Sequence, residues 1–109
     1  MLKFKIHSFE KLEVWKEVRK LVVKIYHVAS SFPSEEKYGL TSQMRRSVIS
    51  VSNNLAEGTS RHSLRDQARF TEISFGSLVE LIDHTIHSFD LGFISEFDYI
   101  DLRIDYDRI

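Results

Sequence analysis

Residues 41–58 read "TSQMRRSVISVSNNLAEG". Met44, Val48, Val51 and Leu55 recur at intervals of three and four, the period of an α-helix. On a wheel of about 100° per residue, Ser47, Ser50, Asn54, Glu57 and Arg61 form a second stripe about a quarter-turn from the first. Ile49 and Ala56 fall on yet another side. The segment is therefore a helix with more than one face to bury. Thr41 or Ser42 can cap its start, and Gly58 suits the left-handed position that ends a helix. The expected helix spans about 41–57.

Toward the N-terminus, Phe9, Leu12, Trp15, Val18, Leu21, Val22, Ile25, Ala29 and Phe32 keep the same period. They predict a helix over about 9–32, with Ser8 as N-cap and Pro33 as its stop. Trp15 and Tyr26 are expected in the core or under an interhelical loop. Toward the C-terminus, Ser63-Leu64-Arg65-Asp66 has the spacing of a capping box. It opens a helix over about 63–90, carrying Phe70, Ile73, Ser77, Leu78, Leu81, Ile82, Thr85 and Phe89 and stopped by Gly92. Ser95, with Asp98 three residues on, opens a fourth helix over about 95–109. Its face is drawn from Phe97, Ile100 or Tyr99, Leu102, Tyr106 and Ile109. Short connections favour antiparallel neighbours. The expected fold is all-α: one up-down-up-down antiparallel four-helix bundle over residues 1–109, its fourth helix short or truncated.

Composition narrows the function. The 109 residues include no cysteine, which removes disulfides and thiolate chemistry and fits a reducing cytoplasm. The N-terminus lacks a signal-peptide run, and no stretch approaches the roughly 18 apolar residues of a membrane span. The net charge of −1 conceals an asymmetry. Residues 1–30 carry Lys3, Lys5, Lys11, Lys16, Arg19, Lys20 and Lys24 against Glu10, Glu13 and Glu17. The last stretch carries Glu96, Asp98, Asp101, Asp105 and Asp107 against Arg103 and Arg108. The two ends are complementary, within one subunit or between subunits.

Three constellations invite a chemical reading. Ser50, Asn54, Glu57 and Gly58 suit close helix packing, with polar partners on a neighbouring helix, loop backbone or a neighbouring subunit. Glu57 has no second titrating group at matching spacing, so no acid–base pair is expected. Arg45, Arg46, Arg61, Arg65 and Arg69, with His62, cluster around the second helix and the start of the third. Brought together in a ring, they form a basic face for phosphate backbone; alone, they make local ion pairs. Aromatic residues do not interleave with them, which argues against base stacking. Glu80, His84 and His87 share a helix face with Asp83 nearby. The paired Glu-x-x-His motifs of bundle metal sites are missing, so a polar surface cluster is expected. No catalytic, cofactor-binding or metal-binding residues are expected, nor a small-molecule substrate.

Tyr38-Gly39-Leu40-Thr41-Ser42-Gln43, Arg45-Arg46 and Asn54-Leu55-Ala56-Glu57-Gly58 carry a resemblance. With the first-helix stretch "FEKLEVWKEVRKLVVKIY" and the third-helix stretch "GSLVELIDHTIHSFDLGFIS", they resemble the 23S rRNA intervening-sequence proteins, a four-helix bundle family. The resemblance covers nearly the whole chain. It departs at Ser52, where the family often has proline, and at Ile82, where a second Glu is usual. It implies a ring-like homo-oligomer of five subunits and no enzymatic activity. The chain is also similar to accessory proteins of diversity-generating retroelements, whose basic pentameric barrels bind nucleic acid and reverse transcriptase. The expected function is an oligomeric scaffold or adaptor for a protein partner. The alternative is an RNA- or DNA-binding ring using the arginines.

Overall fold

The structure, a computed structural model, describes residues 3–109. Four helices follow one another: α1 (Glu13–Ala29), α2 (Leu40–Thr59), α3 (Leu64–Asp90) and α4 (Glu96–Asp107). Numbering runs in opposite senses across the helix pairs. Met44 meets Ser88 and Val51 meets Ser74, while Thr85 meets Tyr106 and Phe89 meets Tyr99. The fold is the antiparallel all-α bundle that periodicity predicts, with α2 and α3 in the most extensive contact.

Local chemistry sets the boundaries. Ser63 Oγ accepts the Asp66 N–H and Ser95 Oγ accepts the Asp98 N–H, each at 3.1 Å, so both expected caps form. The end of α3 is closed by Gly92 at φ +82°. There the Gly92 N–H reaches Phe89 O and the Phe93 N–H reaches Ser88 O. This paired closure needs a left-handed residue, which glycine supplies without a Cβ clash.

The first helix is shorter than its apolar stripe. A 3₁₀ turn occupies Ser8–Lys11 and Leu12 is extended, so Leu12 rather than Ser8 precedes α1. Phe32 lies beyond the helix yet is buried, because the turn before Pro33 folds its ring against Phe93 at 5.6 Å. The start of α2 is capped neither by Thr41 nor by Ser42. Gly39 holds the N-cap position and the Glu36 carboxylate accepts the Leu40 N–H. Through Ser52 α2 runs without a break.

Val18, Leu21 and Ile25 of α1, Met44, Val48 and Val51 of α2, Leu78 and Leu81 of α3, and Leu102 and Tyr106 of α4 form one buried cluster. Burial of such side chains contributes about 1.5–3 kcal/mol each. Two aromatic expectations change: Trp15 is half-buried against the edge of Phe9, and Tyr26 is exposed rather than in the core. Ile73 is likewise exposed.

The fourth helix is held by two devices. Tyr106 Oη and Thr85 Oγ1 share a 2.7 Å hydrogen bond, and Thr85 in turn donates to Leu81 O at 2.8 Å. Burial pushes the Tyr106 phenol well above its ordinary pKa, so it stays a neutral partner. Near the surface, Lys24 Nζ lies 2.8 Å from Asp101 Oδ2 and 2.6 Å from Asp105 Oδ2. The basic first helix and the acidic last one thus complement each other within one chain.

Hydrogen bonds to Asp101 and then Asp105 raise the Lys24 pKa above 10.5. A raised folded-state pKa gives stability that is complete below the unfolded value and lost as pH climbs through the folded one. Lys24 is partly exposed, so solvent screens the pair. Lys24→Met is expected to lower unfolding free energy by up to about 1 kcal/mol at neutral pH. Denaturation across pH should show that deficit shrinking above pH 10.5.

Candidate functional site

Within the stretch Ser50–Gly58, Ser50, the Val51 carbonyl and Gly58 meet α3. The small residues of the stretch let the two backbones come close, and hydroxyls stitch the seam. Ser50 and Ser77 share a 2.7 Å hydrogen bond, and buried Ser74 donates to Val51 O at 2.8 Å. Asn54 Nδ2 turns back on its own helix, donating to Ser50 O at 2.8 Å and Ser50 Oγ at 3.2 Å. Ser50 therefore links Asn54 to α3, and the hydroxyls of Ser50, Ser74 and Ser77 all find partners inside one subunit.

Gly58 acts differently from expectation. It is a buried, helical residue inside α2, which continues to Thr59. A Cβ placed there would sit 3.2 Å from Phe70 Cβ and 3.6 Å from Gln67 O. Its value is therefore space for α3, not a left-handed stop. The helix ends one residue later, where the Thr59 and Ser60 hydroxyls donate to Ala56 O and Glu57 O. These side chains take up carbonyls that the last turn leaves free.

Glu57 is not part of the seam. It is exposed and accepts from Arg61 Nη2 at 2.7 Å. Arg61 also lies over the Phe70 ring, 4.6 Å from its centroid, and Gln67 Nε2 donates to Arg61 O at 2.9 Å. Glu57, Arg61, Gln67 and Phe70 together clasp the α2–α3 turn. The sequence groups Glu57 with Ser50 and Asn54 by spacing; the packing puts it past the edge of the contact.

The arginines divide. Arg45 Nη2 donates to Tyr26 O at 3.1 Å and its guanidinium lies 4.8 Å from the Tyr26 ring centroid. It ties α2 to the end of α1, where a cation suits the free carbonyls. Arg46 is exposed. Thirteen positions separate Arg45 from Gly58 on α2, about 20 Å at 1.5 Å per residue, so Arg45 is remote from the group beyond that helix end. Arg65 and Arg69, one turn apart on α3, line an open groove with Asp66 and Glu72. Within one subunit the five do not form one basic patch.

Glu80, Asp83, His84 and His87 resolve into two pairs. His87 Nε2 is 3.2 Å from Asp83 Oδ1, and His84 Nε2 is 3.6 Å from Glu80 Oε1, too long for a hydrogen bond. Among the described residues no three His, Cys, Asp or Glu side chains gather into a set that could hold a metal ion. No helix among them is long and apolar enough to cross a membrane.

Several apolar residues that spacing misplaced (Phe97, Ile100) or missed (Ile104, Phe75, Val79) face outward. Phe97, Ile100 and Ile104 form a stripe on the side of α4 opposite Leu102 and Tyr106, and Phe97 is 79 % exposed. On α3, Phe75 and Val79 are uncovered as well. Sequence reading leaves Ile100 and Tyr99 as alternatives for the inner face and places Phe97 with them. The structure turns Tyr99 inward against Phe89, 4.3 Å between ring centroids, and Phe97 outward. A strict wheel holds the signal, since 97, 100 and 104 fall opposite 102 and 106.

Residues 10–109 match the family described as 23S rRNA-intervening sequence protein, and the chain belongs to that family. No curated protein matches the chain.

The seam and the clasp separate by mutation. Gly58→Val forces Phe70 and the α3 backbone away and is expected to cost about 1–3 kcal/mol. Glu57→Ala removes only an exposed ion pair and is expected to cost less than about 1 kcal/mol. Urea unfolding of the two variants measures the contrast; equal losses would place Glu57 in the seam after all.

Proposed function

We propose that this chain is a non-enzymatic, self-assembling scaffold or adaptor for a protein partner, working in the cytoplasm. The observation that carries the reading is the uncovered apolar surface on α3 and α4. Phe97, Ile100 and Ile104 project from α4, and Phe75 and Val79 from α3. A further apolar groove of about 290 Å³ is lined by Val14, Val51, Leu55, Phe75, Leu78 and Ile109. Large uncovered apolar patches mark interaction surfaces, because leaving them in water is unfavourable. The seam hydroxyls bond within the subunit, which supports placing the assembly contact on these uncovered faces. Five subunits is the number that the family resemblance implies.

A second reading has its own support. Arg65 and Arg69 are exposed, adjacent and without a carboxylate within ion-pair distance among the described residues. Repeated around a ring, such pairs make a basic circle able to hold phosphate backbone.

Light scattering of the purified chain at micromolar concentration is expected to find several subunits. Ile100→Glu combined with Ile104→Glu is expected to give monomers with unchanged helical circular dichroism. A monomeric parent protein would sink the scaffold reading. The nucleic-acid reading predicts heparin retention that falls steeply with salt and weakens in Arg65→Ala, Arg69→Ala. Absence of retention at low salt would remove it.

A further inference from the structure

Gly76 stands exposed in the interior of α3, a helix of 27 residues, with no positive φ to require it. A Cβ added there would meet nothing within 4 Å. A glycine at such a position costs roughly 1 kcal/mol relative to alanine. At Gly58 the close approach of Phe70 offsets that cost, but no described residue does so at Gly76.

The residues beside Gly76 form a second stripe on α3. Ala68, Glu72, Phe75, Val79, Ile82 and Ile86 are spaced alternately four and three apart, the repeat of a coiled-coil seam. This stripe lies beside the buried one that carries Ser74, Leu78, Leu81 and Thr85. Phe75 is 64 % exposed and Val79 50 %, while Ile82 and Ile86 are half-buried. Gly76 borders the stripe on the side away from the core, at about 100° per residue. Arg69 and Asp83 share that border, seven positions before and seven after Gly76. Arg69 has no carboxylate within ion-pair distance among the described residues, and Asp83 meets only His87.

We propose that two copies of the chain pair antiparallel through this face of α3, across a two-fold axis at Gly76. The axis fixes the register, because residues equally far from it on opposite sides come level. Arg69 of each copy then meets Asp83 of the other, so the symmetry makes the ion pair twice. Phe75 of each copy packs beside Val79 of the other, and the absent Cβ atoms let the two backbones approach where Gly76 faces Gly76. Glu72 is the one charge inside the seam and weakens the pairing. The inference rests on the self-assembly reading and gives the α3 face its occupant. A ring of five contains no two-fold axis between its members, so this contact joins copies from two such assemblies. One helix pair is smaller than the roughly 1,000 Å² of a stable interface. Alone, it therefore pairs copies only at sub-millimolar concentration.

The sequence has no cysteine, so Gly76→Cys supplies one thiol per copy. Mild oxidation is expected to give covalent dimers, since the two thiols face each other across the axis. His87→Cys is expected to give none: it is exposed but eleven positions from the axis, which sets its two copies about 33 Å apart at 1.5 Å per residue. Sedimentation equilibrium of the Ile100→Glu, Ile104→Glu variant isolates the α3 contact and is expected to find dimers at sub-millimolar concentration. In that background Arg69→Asp or Asp83→Arg is expected to raise the dimer dissociation constant about tenfold or more, and the two together to restore it. Glu72→Leu is expected to lower it. Equal cross-linking at positions 76 and 87, or single losses that the charge swap does not reverse, would overturn the register. A parent that is multimeric by scattering, with no dimer through position 76 and no response to the charge variants, would overturn this contact and leave self-assembly standing. Monomers at every concentration would overturn both.

Discussion

The contact between α2 and α3 is the constraint on which the molecule depends. Ser50, Ser74, Ser77 and Gly58 remove bulk from the line where the helices meet. Hydroxyls in such a line would be costly if unpaired. Ser50 bonds Ser77, and Ser74 bonds the backbone of Val51, so closeness and polar satisfaction come from the same side chains. With α2 and α3 fixed as one hairpin, Val48 and Val51 align with Leu78 and Leu81, and α1 and α4 pack onto the platform that results.

The same geometry explains what is left open. The fourth helix has 12 residues against 27 in α3, so it covers the later half of α3 and leaves Phe75 and Val79 in solvent. Its inner side is spent on Tyr99, Leu102 and Tyr106, and the Lys24 contact fixes its flank. The side carrying Phe97, Ile100 and Ile104 is therefore turned outward. The apolar surplus is a consequence of helix lengths and of which side the tyrosines occupy. Hydrogen bonding at the seam and apolar exposure on α4 thus lie on different faces.

Reading the sequence recovers most of the fold because periodicity is a local property. The four helices, the Ser63 and Ser95 caps and the Gly92 stop depend on neighbours within a turn or two, and they form where spacing predicts them. Failures occur where a distant element intervenes. Phe32 keeps the period of α1 but is buried through Phe93. Gly58 looks like a terminator until Phe70 of the next helix explains its missing side chain. Tyr26 has core spacing and instead supports Arg45. Ser50, Asn54 and Glu57 repeat evenly, yet the first reaches α3, the second bonds its own helix, and the third pairs with Arg61 beyond the contact.

By itself the sequence determined the helices, their antiparallel order and the family, since these follow from turn-by-turn periodicity, capping chemistry and short connections. The tertiary structure alone decided the use of each polar residue, namely which arginine stacks on α1 and which faces water, and that Lys24 binds the two α4 aspartates within its own chain; it also decided that the apolar stripe of α4 is left uncovered. Those outcomes depend on the distance between residues far apart in the chain. A helical wheel gives the direction of a side chain but not what stands opposite it.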